Sequence, residues 1–194
     1  MTDTTVLTVG ALDLGVDKLF NYMKRVCNGF AVKPGHRQIQ VKYPATLDPT
    51  GDSPLGSIQI GASKLDALIR STKGPKIVLA YSQGAQVVGA WLRKYAYKPD
   101  APDEDELQFI LIGNPERSIG KQPWVQKTTP EHTQYRIRDV ARKGDNWADW
   151  QGQTKNRFLA LFGSIHNDYW KTDLFDPRAE VQGVVGNTTY VRVL

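Results

Sequence analysis

The chain has 194 residues, 40% of them hydrophobic and 23% charged, proportions that suit a globular domain with a buried core and exclude a disordered segment. No apolar run approaches the roughly 18 residues needed to cross a bilayer, which sets aside a transmembrane helix. The formal net charge of +5 comes from scattered basic residues; it lacks the stripe or module of a nucleic-acid reader but favours approach to an anionic surface such as a cell envelope.

The start of the chain, "MTDTTVLTVG", has no basic-then-apolar leader layout and reads as a buried strand ending in glycine. From Val16 the apolar positions Leu19, Phe20, Met23, Val26, Cys27 and Phe30 follow helical spacing. Cys27 is the single cysteine, so no internal disulfide can form, which suits a reducing compartment; its neighbours place it on the helix face as a buried structural thiol. "RQIQVKYP" alternates as a strand stopped by Pro44. Ser53-Pro54 reads as the N-cap and first turn of a helix with the stripe Leu55, Ile58, Ala62, Leu65 and Ile69.

The strand "KIVLAY" then runs into "SQGAQVVGAWL", a tight turn at Ser82 followed by a helix carrying Val87, Val88, Trp91 and Tyr95. An acidic loop, the strand "LQFILIG" and the strand "QYRIRDVA" follow. Strands alternating with helices predict a three-layer α/β fold, a mostly parallel sheet covered by helices on both faces. No linker or repeat divides the chain, which predicts a single domain over 1–194 with its core in about 5–170. The segment 178–194 is a C-terminal β-hairpin extension turning at Gly186-Asn187, which the alternating pattern does not place.

A strand-to-helix turn that presents a nucleophile needs small residues two before and two after it, because the backbones pack closely there. Around Ser82 these are Ala80 and Gly84. The following helix would aim its first N–H, that of Gln83, at an oxyanion. An S-x-G triplet alone is weak; Ser118-Ile119-Gly120 is another, without strand or helix beside it. Of three histidines, His36 and His132 precede strands, whereas working residues of parallel sheets lie beyond the strands' carboxyl ends. His166 comes late, after the last helix-like segment, which fits the chain order nucleophile, acid, histidine. The acid candidates are Asp139, Asp145 and Asp149. Asp139 falls inside a strand, where it would serve the strand's edge or pair with Arg138 or Arg142. Asp145, in the loop after Gly144, is favoured and Asp149 is the runner-up.

Taken together, "AYSQGAQV", "LIGNPER", "GDNWA" and "HNDYW" resemble the cutinase-like serine esterases of the α/β-hydrolase superfamily, in particular phage lysin B and the PE-PPE domain. The resemblance implies a triad of Ser82, Asp145 and His166, an oxyanion hole from the Gln83 and Ala11 N–H groups, and no metal or cofactor. It assigns Gly113, Asn114, Pro115 and Arg117 to a loop beside the site with a positional role; Asn114 and, from their place in or beside the site loops, Trp147 and Trp170 are the candidate substrate-binding residues. Trp124 and Trp150 join those two as candidates for an apolar acyl groove. It further implies a lipid or mycolyl-type ester as substrate, without a nucleic-acid partner, and synthesis in the cytoplasm (the host's, for a phage product). Action would then follow at the mycobacterial envelope after lysis or within a virion. Ala80 departs from the family's glycine, and the hairpin has no counterpart. A hydrolase scaffold serving as a binding or structural component stays open as the second reading, with the hairpin's edge as a contact for a virion partner or a second subunit.

Overall fold

The computed structural model describes residues 4–12, 22–48, 53–151 and 165–194. Among the described residues seven strands form one sheet: β1 (Thr4–Val9), β2 (His36–Gln40), β3 (Lys76–Tyr81), β4 (Leu107–Ile112), β5 (Arg136–Arg142), β6 (Glu180–Val185) and β7 (Thr188–Val193). Their order is β2-β1-β3-β4-β5-β7-β6, and every neighbouring pair is parallel except β6 with β7. The chain reverses direction across the sheet between β1 and β3, so the crevice at the carboxyl ends of those two strands is where a ligand site is expected.

The central strands β3 and β4 are largely apolar on both faces because both faces are covered. Val78 and Ala80 of β3 face a cluster built with α2 (Ser57–Ser71) and α3 (Gln83–Tyr95), centred on the fully buried Trp91. Ile77, Leu79 and Tyr81 face the opposite cluster, with Met23, Val26, Phe30, Tyr169 and Leu174. The layered α/β architecture expected from the pattern is therefore present.

Three local expectations are corrected. The α1 helix (Tyr22–Gly29) breaks at Val26, which is extended at ψ 146°, and Cys27 and Asn28 take left-handed backbone angles. Tertiary bonding outcompetes the helical stripe there: the Cys27 and Asn28 N–H groups donate to the carbonyls of Tyr169 and Trp170, at 2.9 and 2.8 Å. Cys27 is buried, as expected, but not on a helix face. The start expected from Val16 falls among residues 13–21, outside the described residues. The second helix does not begin at Ser53-Pro54, since Ser53 to Gly56 closes a turn and leaves Leu55 87% exposed. Its opening N–H groups are served from a distance, with Ile58 donating to Asp48 Oδ2 at 2.9 Å. Finally, β5 is no edge strand. The C-terminal hairpin is built into the sheet, with β7 lying parallel against β5 and β6 outermost.

A carboxylate capping a helix from another segment contributes about 1 kcal/mol. Asp48→Ala is expected to lower the melting temperature by about 2–4 °C, for a chain of this size, in a calorimetric scan. An unchanged midpoint would show that water replaces the cap.

Candidate active site

The turn between β3 and α3 holds Ser82 at φ 53°, ψ −116°, a conformation side chains rarely adopt. Such an angle persists only where the surroundings enforce it. The Ser82 N–H donates to the Ile112 carbonyl of β4, and the Ser82 carbonyl accepts from Ala85 N–H inside the first turn of α3. Gly84 is required on the other side, since a Cβ there would sit 2.2 Å from the Val9 carbonyl oxygen. Ala80, the departure from the family pattern, is accommodated with no exposed surface. The outcome is a half-buried serine whose hydroxyl stands above the sheet.

Ser82 Oγ lies 2.9 Å from His166 Nε2, and His166 Nδ1 lies 2.9 and 3.0 Å from the two oxygens of Asp145. Residues 84 and 21 positions apart thus form one hydrogen-bonded series at the carboxyl ends of β3 and β5. Tyr81 fixes the histidine's backbone, its hydroxyl donating to the His166 carbonyl at 2.6 Å. Gly113 gives the series its floor. It follows β4 at φ 55°, and a Cβ there would come within 3.2 Å of His166 Cε1 and 3.3 Å of Asp145 Oδ2.

Asp145 has no exposed surface. Burial alone would raise its pKa. The His166 charge, hydrogen bonds from His166 and Tyr169, and the Trp147 N–H outweigh that and hold the carboxyl below its ordinary value. The group is therefore ionised near neutral pH, as needed to orient an imidazole and to stabilise an imidazolium. Tyr169, which donates to Asp145 Oδ2 at 2.6 Å, lies outside the residues that the sequence singles out, although the "HNDYW" stretch that marks His166 contains it.

The oxyanion candidates sit on adjoining elements. Gln83 opens α3, and its side chain is held by the Thr46 carbonyl at 2.8 Å. The Tyr43 hydroxyl donates to the Gly10 carbonyl at 2.7 Å and lies 3.3 Å from Gln83 Oε1, tying the loop after β1 to the serine turn. Ala11, half-buried, is the next residue of that loop.

The remaining candidates divide. Trp147 is beside the site, its ring centroid 6.3 Å from that of His166. Trp170 packs edge-on against Tyr22, with the Arg25 guanidinium 5.0 Å from its ring centre. Asn114 is corrected as a substrate-binding residue: it is fully buried, donating to Thr129 Oγ1 and Asp139 Oδ2 and accepting from Glu116 N–H. Asp139 pairs with neither Arg138 nor Arg142 but with Arg117, at 3.3 Å, both completely enclosed. Burial pushes Asp139 up to about 6 against the pull of Arg117 and Asn114. Arg117 also donates to the Ala148 carbonyl at 2.8 Å, bracing the loop that carries Asp145. Asp149 caps that same loop through Gly144 N–H at 2.9 Å. His36 and His132 are at the opposite end of the sheet, His36 opening β2 and His132 beside the hairpin turn at Gly186.

Gly113→Ala would impose a side chain on a left-handed residue, at about 1–2 kcal/mol, and push on the imidazole. The expected result is a melting temperature lower by about 2–8 °C and shifted His166 ring signals in NMR spectra. Unshifted signals would mean that the floor is not in contact.

The family model for the PE-PPE domain matches residues 34–190. A curated relative, the SL1278 acyltransferase Chp1 of Mycobacterium tuberculosis, is 33% identical over 143 residues, 67% of this chain and 35% of that protein. The uncharacterized PPE family protein PPE63 of the same species is 30% identical over 171 residues, 78% of this chain and 35% of that protein. The chain thus spans about a third of the length of these relatives. Among solved structures, a cutinase-like protein from Cryptococcus sp. aligns with a TM-score of 0.52 at 18% identity, covering 88% of this chain and 87% of that one. That likeness establishes the cutinase-like α/β-hydrolase fold. With four-fifths of its length matched by the family model, the chain belongs to the PE-PPE domain family.

Proposed function

We propose that the protein is a serine esterase that forms an acyl-enzyme at Ser82. The observation that carries this reading is the 2.9 Å approach of His166 Nε2 to the hydroxyl of a serine held at φ 53°, with a buried, ionised carboxylate behind the imidazole. A mere turn serine requires neither the strained angle nor the aligned base.

In the first half-reaction His166 Nε2 takes the Ser82 proton as Oγ attacks the ester carbonyl. Negative charge develops on the carbonyl oxygen and is met by the Gln83 and Ala11 N–H groups. The intermediate collapses, His166 passes its proton to the departing alcohol, and the acyl group remains on Ser82. In the second half-reaction His166 activates water, which releases the acid and restores the serine. If an alcohol takes the water's place, the same steps transfer the acyl group. That outcome is favoured by one observation, the acyltransferase name carried by the relative Chp1.

The finer part of the proposal concerns the substrate. A lipid acyl ester, of the mycolyl type in the motif resemblance, would lay its chain along Trp147 and Trp170. The setting of a phage enzyme acting on the mycobacterial envelope rests on that resemblance alone.

A fluorophosphonate probe and nitrophenyl esters of graded acyl length test the reading. The expected outcome is labelling at Ser82, no labelling of a folded Ser82→Ala variant, and faster turnover as the acyl chain lengthens. Silence of the wild type toward probe and esters would favour the binding-protein reading instead. Asp145→Asn leaves the imidazole without its anionic partner, and kcat is expected to fall by about 10⁴-fold. A loss below tenfold in steady-state assays would show that Asp145 is not the working acid.

A further inference from the structure

The acid of the series is served by more than the histidine. A buried carboxylate offers about four acceptor positions, and each left empty is costly. Asp145 Oδ1 accepts from the Trp147 N–H at 2.8 Å and from the Ala148 N–H at 3.3 Å, and faces His166 Nδ1 at 2.9 Å. Oδ2 shares the imidazole at 3.0 Å and takes its shortest contact from the Tyr169 hydroxyl, at 2.6 Å. The hydroxyl's own direction is set, because its oxygen accepts from the Arg142 N–H at the end of β5, at 3.0 Å. Its proton is thereby committed to the carboxylate.

We propose that Tyr169 is a positioning residue that sets the plane and basicity of the Asp145 carboxylate and, through it, the His166 hydrogen bond. Three arrangements support this. The phenol is fully enclosed and kept protonated, since burial and the neighbouring anion both push its pKa far above the ordinary phenol range. It is also held from several sides: its carbonyl accepts Cys27 N–H, and a Cβ on Gly113 would come within 3.2 Å of its ring. Finally, Tyr169 lies three residues after His166, so one loop delivers both the imidazole and the group that fixes the imidazole's partner. The titratable groups around the carboxylate are His166, Tyr169 and Tyr81, whose hydroxyl is spent on the His166 carbonyl. Arg142 approaches through its backbone, its side chain being paired with Asp168.

The effect on rate rests on the esterase reading; the effect on the hydrogen bond does not. The experiment therefore has two arms, run on wild type and Tyr169→Phe. In NMR spectra, the low-field His166 Nδ1–H resonance is expected to move in Tyr169→Phe. In assays, kcat/KM is expected to fall about 10- to 100-fold with KM unchanged, the scale for a base held slightly out of line, because the carboxylate loses the contact that fixes its plane against the imidazole. The acid limb of the pH profile should shift to higher pH. Without the phenol, the carboxylate is a stronger base and stabilises the imidazolium further. On an Asp145→Asn background the substitution should add nothing.

An unmoved resonance overturns the proposal, as does an additive loss on that background. If the wild type is silent toward probe and esters, the esterase reading fails, and the resonance alone upholds or overturns the positioning role. If Tyr169→Phe does not fold, fluorotyrosine placed at 169 keeps the shape while making the phenol more acidic. The resonance and acid limb should then move in the opposite direction, and no movement overturns the proposal.

Discussion

A carboxylate sealed from water can stay charged only if the protein supplies its hydrogen bonds, and the upper end of this sheet is arranged around that demand at Asp145. Two backbone N–H groups of its own loop, an imidazole and a phenol converge on it. Those donors come from the segments after β5 and around residue 166. Both segments must therefore be seated before the serine turn has a partner. The constraint also explains Gly113. A side chain there would occupy the space in which the imidazole, the carboxylate and the phenol meet.

The second buried anion shows a different balance. At 3.3 Å, Arg117 and Asp139 attract each other by roughly 5 kcal/mol for an effective dielectric of about 20. Enclosing both ions costs several kcal/mol apiece. The net result is a carboxyl pushed up to about 6, so desolvation prevails over the arginine. The pair is a poor source of stability by itself. What it secures is the guanidinium, which spans from the Ala148 carbonyl to Gln182 of β6 and so joins the Asp145 loop to the hairpin.

Period and turn chemistry made most of the sheet legible in the sequence, because strands buried on both faces advertise themselves as apolar runs. Ser82, Asp145 and His166 could be selected from position relative to strand ends. Other features depend on partners far along the chain. The break at Val26 is fixed by bonds to residues 169 and 170 that override the apolar stripe, and Asn28-Gly29 is the one local turn signal for it. The cap from Asp48 stands outside the short window in which capping signals are read. Asn114 sits in a motif beside the site, and motif membership does not separate a residue that touches substrate from one that fills the space beneath it. Arg138 and Arg142 lie one and three positions from Asp139 in β5, odd offsets that put them on the other face of the strand. The partner of Asp139, Arg117, comes instead from the loop after β4.

The insertion of β7 between β5 and β6 sets an order of events on the ribosome. Residues 136–142 emerge well before residues 188–193 that flank them, so for an interval β5 has an unsatisfied row of amide groups on one side. Non-local parallel pairing is slow to form, and an open strand invites pairing with other chains. In a nascent chain the serine turn can be complete while the scaffold beneath its acid is still unzipped. The vulnerable stage in biogenesis thus follows the forming of the serine turn, at the closing of the β5–β7 seam.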